Sequence, residues 1–216
     1  MFKLINGLFY SEHYIDIDHD KILADVLKAK DDPDPKNFCS EDEWDYNGYF
    51  EYEGYEPSHT FYEDSNLYKH TFREIKDAVD KVFLDIFGQP YFECEEMWGH
   101  VIEPNYQTMI HNHGGQITDD ELALSWVYYP HHPVKSGNII FTSQVNTSVH
   151  HHEVKPERGK LLIFSKDIYH YTPLNASKYT RVAVSGNHIA NRTFRVDLHY
   201  DVNFESPYWK YSGKQD

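Results

Sequence analysis

Two kinds of hydrophobic pattern divide the chain near Gly88. Before this point, residues 18–30 and 65–87 carry apolar side chains at intervals of three and four, the spacing that places them on one face of a helix. The first stripe consists of Ile22, Leu23, Val26 and Leu27, and the second of Leu67, Phe72, Ile75, Val79, Phe83 and Ile86. Gly88 then stands where a helix C-cap commonly occurs. The pattern predicts two amphipathic helices, preceded by a strand in the first ten residues, where apolar and polar residues alternate.

After Gly88 the chain consists of short apolar or alternating runs separated by turn residues, a texture typical of consecutive β-strands. The predicted strands are residues 93–103, 106–113, 121–129, 137–143, 150–156, 160–166, 168–174, 180–189 and 195–202. Eight or nine strands at this spacing favour a mainly β fold with N-terminal α-helices, of the jelly-roll (cupin-like) kind.

The length of 216 residues fits one domain. We expect residues 1–90 to form a helical N-terminal support, residues 91–202 the jelly-roll core and residues 203–216 a tail. Within the support, residues 31–65 are acidic and aromatic but show no sustained period. Aromatic side chains of this number can pack, so the segment is predicted to be a loop or lid that becomes ordered on contact.

The charge excludes some classes of partner. The formal net charge is −15, and a surface of that sign repels phosphate backbones and anionic lipids, so neither nucleic-acid nor membrane binding is expected. No window approaches 18 apolar residues, and the first residues lack the charged start of a signal peptide. These features predict a cytoplasmic protein in which Cys39 and Cys94 are free thiols.

The segment MIHNHGGQ, residues 109–116, contains the first candidate for chemistry. On a strand, His111 and His113 project to the same side while Asn112 points away. Imidazole is the commonest metal ligand in proteins, so this pair can occupy adjacent corners of a coordination sphere. The alternative is chance, because a chain with 15 histidines will produce such a pair without any function.

A longer series of motifs argues against a chance origin of the His111 and His113 pair. His170 follows the run LLIFS, and Arg181 follows His170 with ten residues between them. The order W…H-x-H…SWVYY…G-x-I-x-F…P-x-x-G-x-L-x-I-F-S…H-x10-R…N, within residues 97–191, resembles the core of the iron(II)- and 2-oxoglutarate-dependent oxygenases, specifically the branch with H-x-H at the first motif and the prolyl-hydroxylase-like families. The resemblance implies a double-stranded β-helix that uses Fe(II), 2-oxoglutarate and O2 to hydroxylate a substrate.

The resemblance also implies roles for individual residues. His111, His113 and His170 would hold the iron, and Arg181 would bind the far carboxylate of 2-oxoglutarate as a bidentate fork. A hydroxyl group usually found two residues after the arginine is absent, because that position is Ala183. Candidates for the missing hydroxyl are Ser185, Tyr128 and Tyr129. Weaker candidates for the substrate pocket are Trp98, Trp126 and Asn187, for each of which a packing or structural role is at least as favourable.

His113 departs from the common pattern of two histidines and one carboxylate. The charge of the iron site would then be one unit more positive than that of the usual site, which leaves open a three-histidine enzyme that does not use 2-oxoglutarate. Asp119, Asp120 or Glu121 could supply a carboxylate instead, although none lies on the same short strand.

Three hypotheses follow. The first is the oxygenase, acting on a small molecule or on a peptide or protein side chain, with a neutral or cationic substrate favoured by the acidic chain. The second is a three-histidine, cupin-like metalloenzyme that does not use 2-oxoglutarate. The third is a non-catalytic jelly-roll interaction module whose contact surface is the acidic, Tyr-rich segment 41–64.

Overall fold

The structure is a computed structural model that describes residues 3–5, 8–30, 61–62, 69–114, 123–145 and 147–190. Its helices are α1 (His19–Lys30) and α2 (Lys69–Phe87). Its strands are β1 (Lys3–Ile5), β2 (Leu8–Tyr14), β3 (Phe61–Tyr62), β4 (Phe92–Ile102), β5 (Ala123–His131), β6 (Ile139–Val145), β7 (Ser148–Val154), β8 (Lys160–Ser165), β9 (Tyr169–Tyr171) and β10 (Arg181–Ala190). The predicted strand at 195–202, the tail at 203–216 and most of the acidic loop at 31–65 lie outside the described residues.

Both predicted helices are present, and most of their predicted stripes are buried. Leu23, Leu27 and Ile86 are partly buried, and Leu67 lies outside the described residues. The Oδ1 atom of Asp18 accepts a hydrogen bond from the backbone N–H of Lys21 at 3.0 Å and so caps α1. α2 ends at Phe87, and Gly88 has the positive φ of 71° that a glycine C-cap adopts at low cost. Among the described residues, neither helix is long and apolar enough to cross a membrane.

The strands form two antiparallel sheets. The larger has the order β1-β2-β8-β5-β10-β4-β3, and the smaller has the order β7-β6-β9. β10 therefore lies inside the larger sheet, between β5 and β4. The predicted mainly β architecture with N-terminal helices is confirmed at this level.

Two apolar layers lie on opposite faces of the larger sheet, because side chains alternate along each strand. One layer packs against the helices and includes Val182 and Val184 of β10. The other contains Ala183 together with residues of β6 and β8. Odd-numbered residues of β10 from Arg181 to Asn187 thus face away from the helices. They face the second layer, to which strands β6 and β7 of the smaller sheet also contribute side chains.

Two strand predictions need correction. The first ten residues form parts of two strands, since Lys3 of β1 pairs with Tyr10 of β2 in an antiparallel arrangement. The sequence between these strands is Asn6-Gly7, a dipeptide that favours tight hairpin turns.

Residues 106–113 are not a regular strand but form a single bridge between His111 and His170. Further backbone hydrogen bonds, from Thr108 N to Thr172 O and from His113 N to Lys166 O, hold the segment beside β9.

Gly186 gives a test of the packing around β10. A Cβ atom at this position would lie 2.5 Å from the Trp126 ring and 2.7 Å from the backbone oxygen of Glu96. We expect Gly186→Ala to lower the free energy of unfolding by roughly 1–3 kcal/mol, the usual cost of overpacking, measured by chemical denaturation. Gly114→Ala is the control, because the nearest atom there belongs to the exposed carboxylate of Asp167, which can move. Equal effects of the two substitutions would contradict this account of the packing.

Candidate metal centre

Three imidazole rings converge between the two sheets. One ring nitrogen each from His111, His113 and His170 lies within 4.8 Å of the others. The rings of His111 and His113 are nearly parallel, with centroids 5.5 Å apart, so the two side chains face the same side. The His170 centroid lies 4.3 Å from that of His111 and 5.2 Å from that of His113.

Backbone hydrogen bonds bring the distant parts of the chain together. The N–H of His111 donates to the carbonyl of His170 at 3.0 Å, and the N–H of His170 donates to the carbonyl of His111 at 2.8 Å. The N–H of His113 donates to the carbonyl of Lys166 at 2.9 Å. The convergence of the three rings is therefore built into the pairing of the two chain segments.

The orientation of His111 and His170 is set locally. Nδ1 of His111 lies 2.8 Å from the carbonyl oxygen of Met109, and Nδ1 of His170 lies 3.0 Å from that of Ile168. A carbonyl can only accept, so Nδ1 carries the proton in both rings. Nε2 of each ring then holds a free lone pair, as a metal ligand requires.

His113 is held by side chains. Its Nδ1 lies 2.9 Å from Asn187 Oδ1 and 2.9 Å from Ser125 Oγ. Asn187 also donates from Nδ2 to Glu96 Oε1 at 2.5 Å. Asn187, predicted as a weak pocket residue, thus contacts a histidine of the cluster, whereas Ser125 and Glu96 were not predicted.

Burial keeps the three rings neutral. Burial lowers the pKa of His113 to about 4 and holds the pKa of His170 well below its usual value. The pKa of His111, whose side chain is the most exposed of the three, is also lowered by burial. Neutral imidazole is the form that binds a metal ion.

Arg181 is buried on the face of β10 that also carries Asn187, a contact of His113, and it has no carboxylate partner among the described residues. Only 3% of its surface is exposed, and its Nη1 donates to the carbonyl of Ser136 at 3.0 Å. Burial lowers its pKa to about 10, so the guanidinium stays charged at neutral pH. An isolated buried cation is costly unless an anion compensates it. The arrangement therefore suits an anionic ligand.

Further polar groups lie near Arg181. The positive charge of Arg181 acts on the buried hydroxyl of Tyr129. Burial raises the pKa of this hydroxyl far above its usual value.

His100, which the sequence did not suggest, accepts a hydrogen bond at Nε2 from Trp98 Nε1 at 2.5 Å. Its Nδ1 must then carry a proton, and this buried atom has no partner among the described residues. Ser185 shares the face of β10 that carries Arg181, two residues before Asn187.

Two predicted residues lie on the wrong face of the sheet. The hydroxyl of Tyr128 lies 2.5 Å from Nδ1 of His19, in the layer under the helices. Trp126 is in the same layer, where its Nε1 donates to His188. Trp98, in contrast, lies near the cluster, with its centroid 5.4 Å from that of His113. The structure therefore brings Trp98, but neither Tyr128 nor Trp126, to the candidate site.

The donor set fits a transition metal ion. Three neutral imidazoles suit iron(II), and also zinc, copper or nickel. The cluster contains no carboxylate from the described residues, and the alternative ligands Asp119, Asp120 and Glu121 lie outside them.

The pKa of His100 predicts a pH dependence of stability. Burial lowers this pKa to about 3, so below its ordinary value near 6.5 the unfolded chain binds a proton that the folded chain does not. The free energy of unfolding should therefore fall as pH decreases from about 6.5, by up to about 1.4 kcal/mol per pH unit for this group. His100→Gln should reduce the loss between pH 7.5 and 5.0, as measured by urea denaturation, whereas His150→Gln on the exposed strand β7 should not. An unchanged slope in His100→Gln would contradict the assignment.

Comparisons with known proteins give a match through structure. No family model and no curated protein sequence matches the chain. The fold is similar to that of the non-heme alpha-ketoglutarate-dependent epimerase SnoN from nogalamycin biosynthesis, with a TM-score of 0.64 at 12% identity, covering 84% of this chain and 78% of that one. A Trichoplax adhaerens prolyl hydroxylase, solved with a hypoxia inducible factor peptide, gives a TM-score of 0.59 at 12% identity, covering 87% and 86%. A Pseudomonas putida prolyl-4-hydroxylase gives 0.55 at 15% identity, covering 84% and 92%.

These similar structures share a fold but carry different reactions. Their names describe an epimerase and two prolyl hydroxylases, so the fold by itself selects neither reaction nor substrate. The sequence identities of 12–15% establish the fold alone. The chain therefore has the fold of these three enzymes, in agreement with the fold that the resemblance of its motifs implies.

Proposed function

We propose that this protein is an iron(II)- and 2-oxoglutarate-dependent oxygenase that hydroxylates its substrate. One observation supports this most strongly: three imidazoles, each with its Nδ1 against an oxygen atom, converge on the side of the larger sheet that also carries a buried guanidinium without a carboxylate partner among the described residues. In this proposal the two facing sheets are the halves of a double-stranded β-helix within a single domain, with the site between them.

The three histidines hold the iron. His111, His113 and His170 would hold the ion through Nε2. Iron(II) bound there would supply the activation of O2 that is coupled to the decarboxylation of 2-oxoglutarate. The protein contributes the neutral ligand set, the buried surroundings and the placement of the two organic substrates.

Arg181 binds the far carboxylate of 2-oxoglutarate. Its guanidinium presents a planar fork that matches a carboxylate, and charge-assisted bonds of this type contribute about 1.5–3 kcal/mol each. Tyr129 replaces Tyr128 as the candidate hydroxyl, because it lies within the electrostatic reach of Arg181 and on the correct face. Ser185 remains a second candidate, since it lies on the same face of β10.

The substrate is a small molecule or a peptide or protein side chain. Support comes from similar structures that include a prolyl hydroxylase with a bound peptide and an enzyme of nogalamycin biosynthesis. The net charge of −15 disfavours nucleic acid, whose phosphates it repels. Turnover on an oligonucleotide would overturn this part of the proposal.

A second candidate function is a three-histidine metalloenzyme that does not use 2-oxoglutarate. The favouring observation is that a buried histidine, His113, occupies the place of the usual carboxylate. Arg181 would then hold an anionic substrate. Incubation of the iron-loaded protein with 2-oxoglutarate and O2 separates the two: succinate formation supports the oxygenase, and tight metal binding without succinate under any condition supports the alternative.

Removal of a ligand tests the metal site. We expect His170→Ala to lower the affinity for iron(II) by about a hundredfold or more, beyond the 10–100-fold that loss of an outer-shell partner costs. The measurement is calorimetric titration in the absence of O2. His150→Ala, on the exposed strand β7, is the control and should bind as the wild type does. Wild-type affinity in His170→Ala would contradict the assignment of this ligand.

Replacement of Arg181 tests the cosubstrate site. Loss of two charge-assisted bonds predicts that Arg181→Gln weakens 2-oxoglutarate binding to the iron-loaded protein by at least about a hundredfold. Iron affinity should stay within about threefold, which also shows that the variant is folded. Arg158→Gln is the control, because this arginine is exposed and paired with Asp20. Unchanged 2-oxoglutarate binding in Arg181→Gln would exclude the proposed contact.

A further inference from the structure

Three polar residues form a row across the centre of the larger sheet. Asn187 of β10 stands directly opposite Glu96 of β4 and directly opposite Ser125 of β5. Residues opposite each other in neighbouring strands place their side chains on the same face. The register shifts beside this row, between Asn187 and His188, and such bulges re-aim side chains next to functional sites. His113 lies against the row, in contact with Asn187 and Ser125.

The hydrogen bonds of this row have only one consistent direction. An ionised carboxylate can only accept, so the amide group that faces Glu96 Oε1 at 2.5 Å must be Nδ2 of Asn187. Oδ1 of Asn187 therefore faces His113 and Ser125, and the hydroxyl of Ser125 donates to it at 2.8 Å. Because this Oδ1 can only accept, Nδ1 of His113 must carry the proton, and Nε2 is left with its lone pair.

The tautomer of His113 is fixed by a different kind of contact from those that fix the tautomers of His111 and His170. His111 and His170 bond to carbonyls only two residues away in the chain, so substitution of a side chain does not remove their acceptors. His113 depends on Asn187, 74 residues away in the chain, and through it on Glu96, which is 91 residues from Asn187. The tautomer of His113 is therefore the one that side-chain substitution can change.

We propose that Glu96 is a positioning residue that acts through Asn187 to fix His113 in its metal-binding tautomer. These hydrogen bonds connect the carboxylate of Glu96 to His113, the histidine that stands where the related sites usually have a carboxylate ligand. Hydrogen bonds to the second nitrogen of a ligating histidine set its orientation and increase its basicity. The part concerning metal affinity rests on the proposed function, whereas the part concerning the tautomer does not.

The test reads the tautomer directly in the metal-free protein. Two-bond proton–nitrogen correlation spectra of protein with 15N-labelled histidine distinguish protonated from unprotonated ring nitrogens, and a His113→Asn variant identifies the signals of His113. The wild type should show His113 protonated at Nδ1 only. Glu96→Ala frees the amide of Asn187 to turn over, so the Nε2-protonated form of His113 should become clearly populated. Glu96→Gln, whose amide oxygen still accepts from Asn187, should restore the wild-type pattern.

Iron(II) affinity is the second readout, with Glu93→Ala as the matched control on the exposed positions of β4. Glu96→Ala should lower affinity about 10–100-fold, and Glu93→Ala should change neither affinity nor tautomer. The inference is overturned if Glu96→Ala keeps His113 entirely in the Nδ1-protonated form and binds iron(II) within twofold of wild type. If the tautomer follows Glu96 but the wild type binds no metal, the proposed function fails while the positioning role of Glu96 stands.

Discussion

A hydrogen bond at Nδ1 of each imidazole is the constraint on which the candidate site depends. His111 and His170 use carbonyls of their own chain segments, and His113 uses the amide of Asn187. These bonds leave the Nε2 lone pair of each ring free, and the lowered pKa values of the three histidines keep the rings neutral. A cluster of neutral nitrogen donors beside a charged guanidinium suits a metal ion and an anion together.

β10 supplies both the site and its support. One face carries Arg181 and Asn187, while the other face packs against the helices. On that second face, His188 donates from Nε2 to Asp80 of α2 at 2.8 Å and accepts from the indole N–H of Trp126. The strand is thus held on both sides by buried polar contacts as well as apolar packing, which fixes the groups that face the site.

The sequence predicted much of this arrangement because its motifs lie on strongly patterned segments. The parity of residues 109–113 placed His111 and His113 on one side correctly, even though the segment is held by a bridge and isolated hydrogen bonds rather than as a regular strand. On β5, by contrast, the candidates Trp126 and Tyr128 lie on the face that packs against the helices. Both faces of that strand are buried along almost its whole length, so no alternation of polarity was available to indicate which side faces the site.

The contacts of His113 could not be predicted for a different reason. Ser125, Asn187 and Glu96 come from three strands, and their meeting depends on strand order and register, which no local pattern encodes. His100 was missed because a lone histidine in a strand carries no signal of its own.

A crystal structure with bound ligands tests the central claim most directly. Crystals grown without O2 in the presence of iron(II) and 2-oxoglutarate should show the ion within about 2.0–2.2 Å of Nε2 of all three histidines. A carboxylate of 2-oxoglutarate should contact Arg181. An ion bound elsewhere, or one that uses Nδ1 of any of these rings, would contradict the account.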